Sequence, residues 1–452
     1  MAGVPAPRVR LVVLNYNGGD MTFRCLEHLS ALDWPADRLE LVLVDNASSD
    51  GLVERVRAER PGVRVIESGG NLGFPANNLG LVDLDGIDYV GLVNNDAFPE
   101  PGWLRPLVDA LDADPGVGAA TSKIVFAPRF RALQLQAPTF RPGGADPRAL
   151  GVQLLGVRVD GVDAWSAAQA VGGFHPLEVG PDGPFHWSSD TGELRVPVGA
   201  HGTAEATEVE VELRAGRGPV TVTLGEAGGE RAEVEVTGQR AWHRLTLRGE
   251  PFDVINNVGS IVFDDGHGAD RGYLERDEGQ YEQPEDVFAW CGASVLFRPA
   301  YLASAGLFEE RFFLYYEDTD LSWRGRARGW RHRYVPTSVI RHVHAATSVE
   351  GSEVFTYHVE RNRLLMLVRN APAAMAWRQV LLHVLHTASY ARRDVLGPLL
   401  RRRRPSAVTV RRRLKAEAGF LRALPWALAS RRRIRAAQVV PDEQLLAELT
   451  PR

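Results

Sequence analysis

Short apolar runs alternate with polar turns through the first hundred residues. Val9–Leu14 is followed by Asn15-Tyr-Asn-Gly-Gly19, Leu39–Val44 by Asp45-Asn-Ala-Ser-Ser-Asp-Gly51, and Tyr89–Val93 by Asn94-Asn-Asp96. Apolar runs of this length, bounded by turn residues, predict buried strands. Between them, Met21–Leu32 places Cys25, Leu26 and Leu29 at helical spacing, a second helical pattern leads to the strand Val63–Ile66, and Asn71–Gly80 opens a further helix. Strands alternating with helices predict a parallel sheet with helices on both faces, an α/β fold. Ligands of such sheets bind beyond the carboxyl ends of the strands, so Asn15, Tyr16, Asp45 and Asp96 are expected to line one crevice.

The pattern changes between about Phe126 and Asp253. Glu208–Leu213, Val220–Leu224, Ala232–Val236 and His243–Leu247 alternate polar and apolar residues between Gly-rich turns. Strict alternation marks a half-exposed antiparallel sheet, hence an inserted β-sandwich or jelly roll. Trp165, Trp187 and Trp242 within it suit either a sugar-stacking surface or the core. The α/β body resumes by Ile255, and Ala289–Phe297 reads as a strand whose Gly292 admits a closely approaching backbone or ligand. Residues 356–370 and most of the chain beyond Pro372 read as helix.

The chain of 452 residues has a net charge of −5, but the charge is unevenly placed. Residues 371–452 carry 17 Arg/Lys against 5 Asp/Glu, and the rest of the chain is acidic. A basic helical tail with interleaved Leu, Trp and Phe fits an anionic membrane surface; nucleic-acid binding by simple charge is the competing reading. The two cysteines, Cys25 and Cys291, suffice for neither a disulfide framework nor a zinc cage. No run is long enough to span a bilayer. Neither a dinucleotide fingerprint nor a P-loop occurs, so a diphosphate would need a metal and backbone N–H groups.

Phe312–Arg324 holds the densest candidate chemistry. Glu317, Asp318 and Asp320 follow an aromatic run and precede Leu321, Trp323 and Arg324. Glu317 and Asp320 share a helix face, and Asp318 sits at the helix start, where the dipole favours negative charge. A carboxylate held there can take a proton from a hydroxyl, although a plain N-cap cluster has the same composition. With Tyr16 able to stack on a base, Asp45 to accept an imide N–H and Asp96 to hold a divalent cation, the clusters suit transfer from a nucleotide-linked donor. His342 or His344 would complete the metal site.

These stretches, in chain order, are VVLNYNGG (12–19), LVLVDNASSDG (41–51), NLGFPANNLG (71–80), YVGLVNNDAFPEPGWL (89–104), CGASVLFR (291–298), GLFEERFFLYYEDTDLSWRGRARGW (306–330), YVP (334–336) and HVHAATS (342–348). The sequence resembles the family 2 glycosyltransferases, most closely their rhamnosyltransferase-like branch, over about residues 9–125 and 255–370. The resemblance implies a GT-A nucleotide-sugar-binding fold with the antiparallel β-sandwich inserted and the basic helical region appended. Its divisions would be a nucleotide-binding half at 1–125, the insert at 126–253, an acceptor and catalytic half at 254–370, and basic amphipathic helices at 371–452. It implies Asp318 as general base, and Asn15, Tyr16, Asp45, Asn78 and Asn95 around the donor. Gly292, Glu317 and Trp323 would lie on the acceptor side, with Asp96 and His342 on Mg²⁺ or Mn²⁺. The metal motif Asn94-Asn-Asp96 has one carboxylate in place of two, and Glu309 stands where the family has Asp.

The expected activity is inverting transfer of a sugar to a cell-envelope glycan, on a polyprenyl-linked acceptor, at the inner face of the cell membrane. dTDP-rhamnose is the leading donor, with UDP-galactofuranose or UDP-glucose as alternatives. A non-catalytic glycan-binding protein is the alternative of another class.

Overall fold

The computed structural model describes residues 5–143, 146–198, 205–343, 352–402 and 404–452. His344 and most of the HVHAATS stretch lie outside them. The chain divides into two compact units, residues 1–125 with 255–452, and residues 126–254.

The first unit is built on the expected strands. β1 (Val9–Asn15) lies parallel to β2 (Leu39–Asp45) on one side and to β4 (Tyr89–Asn94) on the other, with β3 (Arg64–Glu67) beyond β2. In register, Val12 faces Val42 and Leu92, and all three are fully or almost fully buried. Each fully buried Val or Leu contributes about 1.5–3 kcal/mol. The polar ends Asn15, Asp45 and Asn94 therefore fall together at one sheet edge, because a parallel register brings all carboxyl ends to the same side. α1 (Gly19–Ser30) and α2 (Leu52–Glu59) make the crossovers, burying Phe23, Leu26 and Leu29, and Leu52 and Val56.

The sheet is mixed, not parallel throughout. The strand Ser294–Phe297 enters antiparallel between β4 and β6 (Val117–Phe126). The strand Arg331–His342 runs antiparallel to β5 (Ala97–Pro99), ending with His342 opposite Ala97. A short apolar run has the same pattern in either direction, so periodicity alone left this undetermined. The helix expected at Asn71–Gly80 is a 3₁₀ turn, Phe74–Gly80, with Gly80 closing on Val12: a Cβ there would come within 2.6 Å of Val12 Cγ1.

The second unit is a sandwich of a five-stranded and a six-stranded sheet whose pairings are antiparallel. Leu133, Leu194, Val222 and Leu224 from one sheet and Leu154, Val209, Val211 and Leu213 from the other form its core. The alternation at Glu208–Leu213 is what places Val209, Val211 and Leu213 inward. Trp187 packs edge-on against Phe140 and Phe185, and Trp165 packs partly buried against the core. Trp242 stays exposed beneath the Arg158 guanidinium, 4.2 Å from its ring.

The C-terminal helices belong to the first unit. After α3 (Leu104–Ala113), α4 (Pro299–Ala305) and α5 (Glu317–Ala327) come α6 (Glu353–Asn370), α7 (Ala373–Tyr390), α8 (Gly397–Leu400) and α9 (Val408–Ala436). Several arginines expected to face an anionic surface are used internally. Arg413 on α9 is buried, donating to Glu360 and Thr387, and Arg431 donates to the carbonyls of Val368 and Ala371. Among the described residues no helix is long and apolar enough to cross a membrane.

Candidate functional site

A cavity of about 440 Å³ opens at the carboxyl ends of β1 and β4. Tyr16, Asn95, Asp96, Gly292, Glu317, Asp318 and His342 line it, so seven of the expected site residues meet there. Tyr16 is 45% exposed, with its ring free to stack.

Asn15 and Asp45 lie behind the wall instead of in it. Asn15 Nδ2 donates to Asp45 Oδ1 at 3.0 Å and to Ser48 Oγ at 2.9 Å, while its Oδ1 accepts from Gly18 N–H and Thr22 Oγ1. Both donors and both acceptor sites of the amide are thereby used. Asp45 also accepts from Ser48 N–H at 3.0 Å, and it is buried. The two residues shape the turns that present Tyr16. Asn78 does not line the cavity either: it donates to Phe308 C=O and accepts from Phe308 N–H, tying the 3₁₀ turn to that residue. Trp323 is a core residue, edge-on to Phe288 at 5.2 Å and 1% exposed. Five residues beyond Asp318, it has turned about 140° around the helix axis, so it cannot share that cavity.

On the opposite wall, His342 Nε2 lies 3.1 Å from Asp96 Oδ1, and Nδ1 lies 3.0 Å from Asn256 Oδ1. Both ring nitrogens thus face a side-chain oxygen, and Nε2 lies beside the Asp96 carboxylate. That pairing favours a cation between them, which is the donor set a divalent ion accepts. Among the described residues no group of three His, Cys, Asp or Glu side chains is arranged to hold a metal. A metal here would thus rest on Asp96, His342 and oxygens of a bound ligand, as suits Mg²⁺-type sites that use few protein carboxylates.

Asp318 stands at the start of α5 with Oδ1 accepting from Thr319 N–H at 2.6 Å. Burial raises its carboxyl above the usual range, opposed by the Thr319 N–H and hydroxyl and the Gly292 N–H. Glu317 is buried too, and its Oε2 has no hydrogen-bond partner. Burial first, and then the Asp318 charge, push its carboxyl well above the ordinary value. A raised folded value means that the stability Glu317 contributes is present below the unfolded pKa, about 4.3, and is lost as pH rises through the folded one. Glu317→Gln is expected to melt with wild type in acid and progressively above it as pH rises. If wild type kept the higher melting temperature in alkali, ionised Glu317 would have to have a partner.

The aromatic run before α5 forms the remaining wall in an unusual backbone shape. Phe313, Tyr315 and Tyr316 have φ of 66°, 67° and 69°. Each left-handed non-glycine residue costs about 1–3 kcal/mol, so the surroundings must impose the shape. Buried Asn362 on α6 does so: its Nδ2 lies 2.9, 2.8 and 2.8 Å from the carbonyls of Phe312, Leu314 and Tyr315. Phe74 N–H donates to Phe313 C=O at 2.8 Å across Gly73, where a Cβ would stand 2.0 Å from that oxygen. Asn362→Ala is expected to lower stability by about 2–3 kcal/mol in urea melts, by stripping buried carbonyls of their donor. Unchanged stability would mean that the loop is held elsewhere.

Sequence reasoning missed Asn46, Asn71, Asn256, Asp270, Phe313, Tyr315 and Phe355, which also line the cavity. Asp270 follows a Gly-rich acidic turn, Asp264-Asp-Gly-His-Gly268, which was the available signal. Burial raises its carboxyl, while the Asn257 amide and the nearby His342 lower it.

Residues 11–152 match the family model described as glycosyl transferase family 2. A β-monoglucosyldiacylglycerol synthase of Synechocystis sp. is 33% identical over 124 residues, 26% of this chain and 25% of that protein. The chain thus spans about a quarter of the length of this curated relative. GalNAc-T7 with UDP, GalNAc and Mn²⁺ aligns with a TM-score of 0.44 at 12% identity, over 80% of this chain and 48% of that one. The mannosyltransferase PcManGT of Pyrobaculum calidifontis, in complex with GDP-Man and Mn²⁺, aligns at 0.37 and 17% identity, over 98% and 79%. The mixed sheet with its crevice at the strand ends is the arrangement expected of a GT-A fold.

Proposed function

We propose that the cavity is the active site of an inverting glycosyltransferase that takes a nucleotide-sugar donor, and that residues 1–125 contribute its donor half. The observation that carries this reading is a single cavity holding the Asp318 carboxylate, raised by burial, together with the Asp96–His342 pair and the exposed Tyr16 ring. Tyr16 stacks on the base. Asp96 and His342 would hold Mg²⁺ or Mn²⁺, which when bound would supply charge neutralisation at the departing diphosphate. Asp318 accepts the proton of the acceptor hydroxyl as that oxygen bonds to the anomeric carbon. The bond from carbon to the diphosphate oxygen breaks on the opposite face, and a nucleoside diphosphate leaves. Glu317 and the aromatic wall border the acceptor.

The donor we favour is dTDP-rhamnose and the acceptor a polyprenyl-linked cell-envelope glycan, met at the membrane surface through the C-terminal helices. The test is nucleoside-diphosphate release from a panel of nucleotide sugars, with and without Mn²⁺ or Mg²⁺, using cell-envelope lipid extract as acceptor. Release from one donor, dependent on metal and acceptor and lost in Asp96→Ala, is the expected result. Turnover that Asp96→Ala and chelation leave intact would remove the metal from the scheme. Absence of turnover with every donor would remove the transferase.

A further inference from the structure

A second cavity, of about 400 Å³, is lined by none of the residues assigned to transfer. It lies against α6, α7 and the Asp264–His267 turn, and its walls carry the guanidiniums of Arg363, Arg378 and Arg452. Two carboxylates also reach it, those of Asp264 and Asp265. Asp265 is already engaged: it accepts from His267 N–H at 3.0 Å and is paired with Arg452. Arg363 is the informative member. It is 4% exposed, its Nη1 donates to Asp265 C=O at 3.0 Å, and its Nε has no hydrogen-bond partner. A phosphate oxygen is the acceptor that the guanidinium forks of the arginines lining this cavity suit.

The surface beside this cavity is apolar. Trp377, Leu381, Val384 and Leu385 on α7 are exposed, between 44% and 59%, and their spacing puts them on one helix face. Arg378 stands at the border between that face and the cavity. α7 contains no acidic residue, and Arg392 and Arg393 follow it. An exposed apolar helix face rimmed by arginine matches a helix lying in the headgroup layer of an anionic bilayer.

We propose that the cavity binds the phosphate of an anionic phospholipid headgroup while the Trp377–Leu385 face of α7 enters the interfacial layer. This deepens the membrane contact proposed above and rests on it. A free phosphate would account for the arginines, but it leaves the exposed apolar face without a role. The occupant is therefore the lipid.

The test is flotation of the full chain with phosphatidylcholine vesicles, with and without phosphatidylglycerol. Wild type is expected on the anionic vesicles only. The double variant Arg378→Glu/Arg452→Glu should bind at least about tenfold more weakly, since each basic residue near such a surface contributes about 1 kcal/mol. Leu381→Ser/Leu385→Ser should also weaken binding, whereas the charge-matched Arg57→Glu/Arg64→Glu, on exposed residues of α2 and β3, should not. Equal loss in both arginine pairs would reduce the effect to net charge and overturn the site. Thermal stabilisation by inorganic phosphate, abolished in Arg378→Glu/Arg452→Glu but without vesicle binding by wild type, would make this a small-anion site and overturn the lipid assignment. Vesicle binding by wild type that both cavity and apolar-face variants retain leaves membrane contact standing and removes this site. Donor turnover measured in detergent on the same preparations reports the transferase reading separately.

Discussion

Asp318→Asn is expected to lower sugar transfer by about 10³-fold while leaving the fold and donor affinity close to wild type. The substitution keeps the shape and the acceptor oxygen facing Thr319 N–H, and removes only the ability to take a proton; general-base catalysis is typically worth 10²–10⁴. Because burial raises the Asp318 carboxyl, the base loses its charge at a higher pH than an ordinary aspartate would. The wild-type rate should therefore fall with acid through a pKa above about 3.9, and the residual rate of the variant should lack that limb. Single-turnover rates against pH, with donor binding followed by calorimetry, check both. A variant with near-normal rate and an unchanged acid limb would assign the proton transfer to another group, and Asp270 and Glu317 are the carboxyls that share the cavity.

Two residues further along, Asp320→Asn should damage the fold far more than any site substitution. Asp320 is fully buried and accepts from Arg324 Nε at 2.9 Å, Arg369 Nη2 at 3.2 Å and Asn370 Nδ2 at 2.7 Å. Arg369 also pairs with Glu309 at 2.9 Å. Removing the central charge leaves two buried guanidiniums undercompensated, a loss of about 3–5 kcal/mol. Urea unfolding should show that loss directly, together with low soluble yield. If Asp320→Asn folded with wild-type stability and failed only in transfer, Asp320 would belong to the chemistry and the ion-pair account would be wrong.

Adjacent carboxylates with opposite duties explain what could be read in advance. Asp318 and Asp320 are two residues apart on a helix, about 200° around its axis, so one faces the cavity and the other the core. From composition they are equivalent. Glu309, which stands where the family that the sequence resembles has Asp, is a partner of Arg369. The longer side chain bridges to a buried arginine, a use that only the packing of α6 against this loop reveals.

Local pattern determined the elements of the first half. β1, β2 and β4 were legible because buried parallel strands are continuous apolar runs, and their polar termini marked the crevice edge. The inserted sandwich was legible for the converse reason, since alternation with period two requires one wet face. Motif order grouped Tyr16, Asp96, Asp318 and His342, and one cavity gathers them. Tertiary structure alone decided which polar residues face a ligand and which satisfy one another. Asn15, Asp45 and Asn78 look like ligand-binding amides and carboxylates in the sequence, yet their hydrogen-bonding capacity goes largely to neighbouring turns. The same holds for the arginines of the last eighty residues, several of which neutralise partly buried carboxylates or cap helix carbonyls. Hydrophobic periodicity is a property of neighbours along the chain. The satisfaction of a buried polar group depends on partners tens to hundreds of residues away, and only the folded chain brings them within 3 Å.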